Sequence, residues 1–327
     1  MALAVVLMAG CQSVAYYTQA FMGHSKMMAK ARPLDDWLAD PATSPELRQR
    51  LETARRIREF ATRSLKLPEN GSYRSYAELD RPYVVWNVFA APEFSVEPKA
   101  ECFPFTGCVS YRGFYSEEDA RRHAEKLRKA GYDVYVGGVP AYSTLGWSDD
   151  PLLSTFIRYS DAQLARLVFH ELAHQVVYAK NDTTFNESFA VAVEEEGVRR
   201  WLEQESRASD RSAELAAFRA GQARKRELAE RVSQARDRLA LVYRTDLSRE
   251  AKLEQKRGEW ERLRISYPWI PAEPNNAFLA SVAVYTDLVP AFERLLAESG
   301  SLEAFYHRVK QLAASEPSKR TTQLSSR

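Results

Sequence analysis

The sequence predicts an α+β fold that is mainly helical, with a small mixed β-sheet and an inserted helical hairpin. Apolar residues recur at helical spacing over several long stretches, residues 83–136 contain runs rich in β-formers, and residues 206–265 carry a coiled-coil pattern. The chain of 327 residues is 45% hydrophobic and 28% charged, which is typical of a globular protein. Its net charge of +2 gives no reason to expect nucleic acid as a partner.

The N-terminus begins with a short apolar run that ends at Met8-Ala9-Gly10-Cys11. The run is too short to span a bilayer as a helix. It resembles the end of a bacterial lipoprotein signal, in which small residues precede a lipidated cysteine. Residues 1–10 are therefore expected to be a signal remnant, Cys11 the lipidation site and residues 11–43 a membrane-proximal segment. The resemblance implies a lipid anchor in the bacterial cell envelope, facing the periplasm, with the outer membrane favoured over the inner. A short apolar helix with a buried Cys11 is the alternative.

The next part of the chain predicts a helix and then a strand, strand, helix, strand unit. The first helix is expected over residues 44–65, with Pro45 at a first-turn position. Strands are expected at 83–89, 108–115 and 132–136, with a polar helix at 116–130 that Gly131 ends.

Cys102 and Cys108 are separated by five residues within this unit. If the protein is exported, the oxidising compartment favours a tight disulfide loop between them. Two free buried cysteines are the alternative. A second zinc site is not expected here, because no further Cys or His lies nearby in the sequence.

The most informative motif is His170-Glu171-Leu172-Ala173-His174, in a segment with the apolar spacing of a buried helix. Histidines at i and i+4 share one helical face, so both can bind one tetrahedral Zn²⁺. Glu171 then lies where a carboxylate can act as the general base toward a metal-activated water. The alternative is a pair of core histidines and a solvated glutamate.

A catalytic zinc usually has three protein ligands, and Glu187 is the best candidate for the third. Twelve residues separate it from His174, enough for a turn and an antiparallel second helix. Alternatively, Thr184 and Glu187 form a capping box. Glu194 and Glu195 follow on the same helix. They could bind the substrate amine, support a zinc-bound histidine or be surface charges, and surface charges are the expectation favoured here.

Residues 206–265 are expected to form a helical hairpin inserted into the catalytic domain. They contain 16 Lys and Arg against 10 Asp and Glu. This excess could contact anionic lipid or an envelope protein partner, although a solvated charged face is the simpler interpretation. An apolar helix is expected from Asn275 to Leu296 within the helical part of the domain, residues 266–312, and a disordered tail over residues 313–327.

The histidine motif followed by Asn186-Glu187-Ser188-Phe189-Ala190 resembles the gluzincin metallopeptidases, and the whole chain resembles the bacterial putative aminopeptidase family. The similarity also includes Tyr16-Tyr17-x-Gln19, Gly107-Cys108-Val109-x-Tyr111-Arg112-Gly113, Ala141 to Trp147 and Asn275-Asn276-Ala277. The resemblance implies a zincin-like catalytic domain over residues 44–205. It also implies that the Tyr285 hydroxyl stabilises the oxyanion, with an ordinary half-buried tyrosine as the alternative. It further implies that residues 139–144 form an edge strand that binds the substrate backbone, with a plain connecting segment as the alternative. The spacing from His174 to Glu187 is shorter than in well-known gluzincin aminopeptidases, so their substrate-binding residues do not transfer.

The expected function is a zinc metallopeptidase that acts on peptides, and the family resemblance favours an aminopeptidase. His170, His174 and Glu187 would hold the zinc, and Glu171 would be the base. A zinc endopeptidase is the first alternative. A non-catalytic envelope lipoprotein, which uses zinc for structure and the hairpin for docking, is the second.

Overall fold

The computed structural model describes residues 16–103, 107–206 and 210–325. It confirms the predicted α+β, mainly helical fold. The helices are α1 (16–28), α2 (Leu34–Ala39), α3 (Pro45–Arg63), α4 (Glu117–Lys129), α5 (Asp161–His174), α6 (Thr183–Glu205), α7 (Ser212–Tyr243), α8 (Arg249–Ser266), α9 (Asn276–Thr286), α10 (Val289–Ser299), α11 (Leu302–Ala313) and α12 (Pro317–Ser325). The strands are β1 (Arg32–Pro33), β2 (Ser75–Ala77), β3 (Val85–Pro92), β4 (Glu101–Phe103), β5 (Gly107–Val109), β6 (Arg112–Phe114), β7 (Tyr132–Val139) and β8 (Leu152–Leu153).

The N-terminal signal and its Cys11 lie outside the described residues. Within the described ranges, no helix combines the length and the apolar character that crossing a bilayer requires. The lipid anchor therefore stays a prediction.

The sheet β6-β3-β7 is antiparallel and is covered on both faces. Side chains alternate along β3, so that Trp86 and Val88 pack against α4 while Phe89 and Ala91 pack against α9. Two small sheets accompany it, β1-β2-β8 and the β4-β5 hairpin. The predicted strand at 108–115 is two short strands, β5 and β6.

Helices α5 and α6 form a tightly packed pair at the centre of the main core. Gly197 on α6 faces Phe169 on α5, and a Cβ at Gly197 would lie 2.7 Å from that ring. Helix α3 packs on α5, and α9 and α10 pack on α6. The α5–α6 pair is therefore held on several sides, which gives the motif histidines a rigid support.

The β4-β5 hairpin joins Cys102 and Cys108 in a disulfide and docks on the turn between α5 and α6. The Cys108 backbone N–H donates to the Asn181 side chain. Gly107 has φ +79° and no room for a Cβ beside Asn181, so glycine permits this approach.

Helices α7 and α8 form the predicted hairpin, with Ser248 capping α8. Val232, Ala235 and Leu239 of the predicted apolar pattern are buried against α8 and against Phe278 on α9. The apolar face of the hairpin therefore packs on the rest of the protein.

Two expectations about the C-terminal part of the chain are wrong. The helix expected from Asn275 to Leu296 is divided into α9 and α10, with Pro290 in the first turn of α10. The tail expected to be disordered contains α12. Its Arg320 forms an ion pair with Asp182, and its Leu324 is buried in the core, long-range contacts that composition cannot reveal.

Candidate metal centre

Helix α5 places His170 and His174 on one buried face. The helix begins after Ser160, whose hydroxyl accepts a hydrogen bond from the Gln163 N–H, and ends at His174. All residues from Leu167 to His174 are buried. Since both histidines project from a buried helix, neither can be an ordinary solvated side chain.

Helix α6 brings Glu187 back toward these histidines. Its N-cap is Asp182, whose carboxylate accepts from the Phe185 N–H. The Asn186 side chain bonds both the N–H and the carbonyl of Ala179, which fixes the preceding turn to the first turn of α6. The alternative in which Thr184 and Glu187 cap the helix is therefore wrong, because Thr184 lies inside it.

The three predicted ligands come together as a triangle of donor atoms. His170 Nε2 lies 3.2 Å from Glu187 Oε2 and 3.2 Å from His174 Nε2, and the third side, His174 Nε2 to Glu187 Oε2, is 3.5 Å. Ligands about 2.0–2.1 Å from a tetrahedral zinc lie roughly 3.3 Å apart. Two imidazoles and one carboxylate in this spacing could hold a metal ion, and the spacing fits the size of zinc.

The charges around the triangle favour a cation. Burial opposes charge on His170, Glu187 and Glu194, but the hydrogen bonds that His170 donates to Glu187 and Glu194 raise the pKa of His170 to about 10. These contacts lower the pKa of each carboxyl to about 2, with further electrostatic contributions from His174 at Glu187 and from Arg166 at Glu194. Two ionised carboxylates thus lie within hydrogen-bond reach of one imidazole.

Glu194 supports His170 from behind, and the expectation that it is a surface charge is wrong. It is 1% exposed, and its Oε2 lies 2.8 Å from His170 Nδ1. Arg166 Nη1 donates to the same carboxylate at 3.2 Å. A carboxylate on the far nitrogen of a ligating histidine fixes the orientation of the ring. The seven-position spacing from Glu187 to Glu194 is a usable sequence signal, since it corresponds to two helical turns.

Glu195, the next residue, points elsewhere. Its carboxylate pairs with Arg226 of the hairpin at 2.9 Å and lines a separate cavity between α6, α7 and α10. Glu195 is therefore not placed to act at the metal triangle.

The metal triangle opens into a cleft of about 690 Å³, which Glu171 also lines. Burial raises the pKa of Glu171, although the neighbouring histidines act in the opposite direction. A buried carboxyl with a raised pKa, beside two imidazoles and facing a cleft, is suited to general-base work. Glu171 does not belong to the ligand triangle.

Three tyrosines stand around Glu187 in the same cleft. Tyr285, the candidate for oxyanion stabilisation, lines it, and burial and the charge of Glu187 raise the pKa of its hydroxyl well above the ordinary value. Sequence reasoning missed Tyr111, whose hydroxyl donates to Glu187 Oε1 at 3.5 Å, and Tyr178. Tyr111 could have been found, because it belongs to the motif of residues 107–113 on which the family resemblance rests.

The segment from Val139 to Thr144 forms one wall of the cleft, but the predicted edge strand is only partly present. Val139 ends β7 and pairs with Val85, whereas residues 140–144 are not in a strand. Pro140 lacks a backbone N–H and interrupts the strand. Asp150 holds the segment, because its Oδ2 accepts from the backbone N–H and the hydroxyl of Thr144.

A buried arginine supports the end of α5 behind the metal triangle. Arg58, 1% exposed, donates to the carbonyls of Ser72, Pro68 and Asn70. The Gln175 side chain, next to His174, bonds the Ser72 hydroxyl. The loop of residues 68–73 therefore connects α3 to the metal-binding end of α5.

Comparison with known proteins gives one match at the level of families. The family model described as Putative aminopeptidase covers residues 15–324. No curated protein and no solved structure matches the chain. The match includes both helices of the metal triangle and every lining residue of the cleft.

Proposed function

The chain belongs to the Putative aminopeptidase family, and from that premise we propose that it is a zinc-dependent metallopeptidase. The observation that carries the proposal is the buried triangle of His170, His174 and Glu187, with sides of 3.2 to 3.5 Å, opening into a cleft. The family description makes release of N-terminal residues the first activity to assay.

The residues have separate roles in this proposal. Zinc, when bound, supplies a Lewis acid that polarises the peptide carbonyl and lowers the pKa of water. His170, His174 and Glu187 hold it, and Glu194 orients His170. Glu171 takes the proton of the attacking water and returns it to the leaving amine. The Tyr285 hydroxyl, and that of Tyr111 beside it, donate to the developing oxyanion.

The rival function is a binding protein in which zinc is structural. A structural zinc is closed by four protein ligands, mostly Cys and His. Within the described ranges, the group that could hold a metal offers three ligands, two His and one Glu. This set supports catalysis, because it leaves a position for water and substrate.

The test compares zinc content and peptide hydrolysis in four variants. His170→Ala, His174→Ala and Glu187→Ala should each lose most of the bound zinc, because each removes one of three ligands. Glu171→Gln should keep the zinc and lose turnover. Full zinc occupancy in Glu187→Ala would refute the ligand assignment, and full turnover in Glu171→Gln would refute the assignment of the base.

We also propose, from Met8 to Cys11, that the protein is a lipid-anchored protein of the bacterial envelope. In a version with a complete signal, Cys11→Ser should move the protein from the detergent phase to the aqueous phase. Wild-type protein with an unmodified Cys11 in native material would refute the anchor.

A further inference from the structure

We propose that the cleft binds an internal stretch of a polypeptide, with uncharged and mainly apolar residues around the scissile bond, so that the enzyme is an endopeptidase. The inference rests on the proposed zinc peptidase function and assigns its class of substrate. It comes from the lack of charged side chains in the lining of the cleft, because a peptidase that recognises a chain terminus needs a charged group to bind it.

Uncharged residues line the cleft almost throughout. Apart from the metal triangle and Glu171, the lining residues of the described chain include no Asp, Glu, Lys or Arg. Nine of the 25 are aromatic, among them Tyr17, Tyr142 and Trp147. Trp147 is 84% exposed. Such a surface favours the binding of apolar side chains, and its tyrosine hydroxyls can hydrogen-bond to the N–H and carbonyl groups of a main chain.

An exopeptidase has a different requirement. An aminopeptidase must pair the α-ammonium group of its substrate with a carboxylate in a partly desolvated site, and a carboxypeptidase must pair the terminal carboxylate with a cation or a set of N–H donors. Glu187 is committed as a ligand and Glu171 as the base. Neither is left to hold a substrate ammonium group.

The other carboxylates near the metal triangle are also committed. Glu194 is 1% exposed and bonds His170 and Arg166, and Glu195 pairs with Arg226 beside a different cavity. Asp150 is 2% exposed, holds Thr144 and does not line the cleft. Residues 1–15, 104–106, 207–209 and 326–327, which lie outside the described ranges, contain no Asp or Glu at all. Among the described residues, no carboxylate that lines the cleft is therefore left for an N-terminal ammonium group.

Two arginines contact lining residues of the cleft without lining it themselves. The Arg112 guanidinium lies 4.2 Å from the centre of the Tyr16 ring, on which it stacks. Arg81 donates to the backbone carbonyl of Tyr115. Neither lines the cleft, so a C-terminal carboxylate also finds no charged partner among the described residues.

The test uses one octapeptide with a central Phe–Phe bond in four forms: free ends, N-acetylated, C-amidated and blocked at both ends. Zinc-loaded enzyme should cut all four at the same internal bond, with kcat/KM values within about fivefold, the scale of a solvent-exposed charge. Fragments are identified by mass spectrometry. A loss of roughly 30-fold or more on acetylation, the scale of a lost buried charge pair, or release of single residues from one end, would overturn the inference.

Two further measurements complete the test. The zinc-loaded Glu171→Gln protein, titrated calorimetrically, should bind the four peptides with Kd values within the same fivefold range; a free N-terminus that binds at least 30-fold tighter would overturn the inference. A fifth peptide with Glu–Lys in place of Phe–Phe should be cut at least tenfold more slowly, because its charges have no partner in the cleft. Equal rates would overturn the apolar preference. If zinc-loaded enzyme cuts none of the peptides, the proposed function fails, and the inference fails with it.

Discussion

Replacing Glu194 with Gln should weaken zinc binding without touching a ligand. The carboxylate accepts from two donors at once, His170 Nδ1 at 2.8 Å and Arg166 Nη1 at 3.2 Å. A glutamine has the same shape but one acceptor oxygen, so one donor must face its NH₂ group. At 1% exposure, water does not replace the lost acceptor. We expect a loss of about 10- to 100-fold in zinc affinity, or about 1.4 to 2.7 kcal/mol.

Glu195→Gln is the matched control, because it makes the same chemical change one residue further along α6. Glu195 faces Arg226 and not the metal triangle, so its variant should bind zinc as the wild type does. The assay is competition for zinc with a fluorescent chelator, and circular dichroism checks that both variants are folded. Wild-type zinc affinity in folded Glu194→Gln would refute the argument that this carboxylate orients His170.

Three further predictions follow from the packing and charges. Gly197→Ala should lower the free energy of unfolding by about 1–3 kcal/mol, because the added Cβ collides with α5. Gly221→Ala on α7 should raise it by up to about 1 kcal/mol, because a Cβ there has nothing within 4 Å and alanine favours the helix. Equal free energies of unfolding for the two variants in urea denaturation would contradict this. Arg58→Met should lower the free energy of unfolding by at least about 2 kcal/mol, because it leaves buried carbonyls unpaired. Its control, Arg56→Met, at an exposed position of the same helix, should change that free energy by less than about 1 kcal/mol. Equal melting temperatures for the two variants would contradict the role of Arg58. In the metal-free protein the pKa of His170 is raised to about 10, so the contribution of its charge to stability is complete below about pH 6.5 and is lost as the pH rises through 10. Zinc needs the neutral ring and should therefore bind more tightly at pH 8 than at pH 6. A zinc affinity that does not change with pH would contradict the raised pKa of His170.

Features of the chain that depend on neighbouring residues could be predicted from the sequence. The i and i+4 spacing of His170 and His174 puts both on one face of α5 in any context that keeps the helix. Ser44, Ser116, Ser160 and Ser248 cap their helices within three residues. The apolar pattern of α7 likewise predicted which of its faces is buried. Such features need only the geometry of a helix, which the sequence carries by itself.

Only the tertiary structure decided which distant groups meet. Glu194 and Glu195 are adjacent and chemically identical, yet one orients His170 and the other pairs with the hairpin, because helix rotation sends them to different neighbours. Tyr111 reaches Glu187 across 76 residues of chain. Helix α12 forms in a segment of polar composition, because Arg320 pairs with Asp182 and Leu324 is buried in the main core. The physical reason is common to all three: burial and charge pairing depend on the surroundings of a residue, and those are set by long-range packing that no local pattern records.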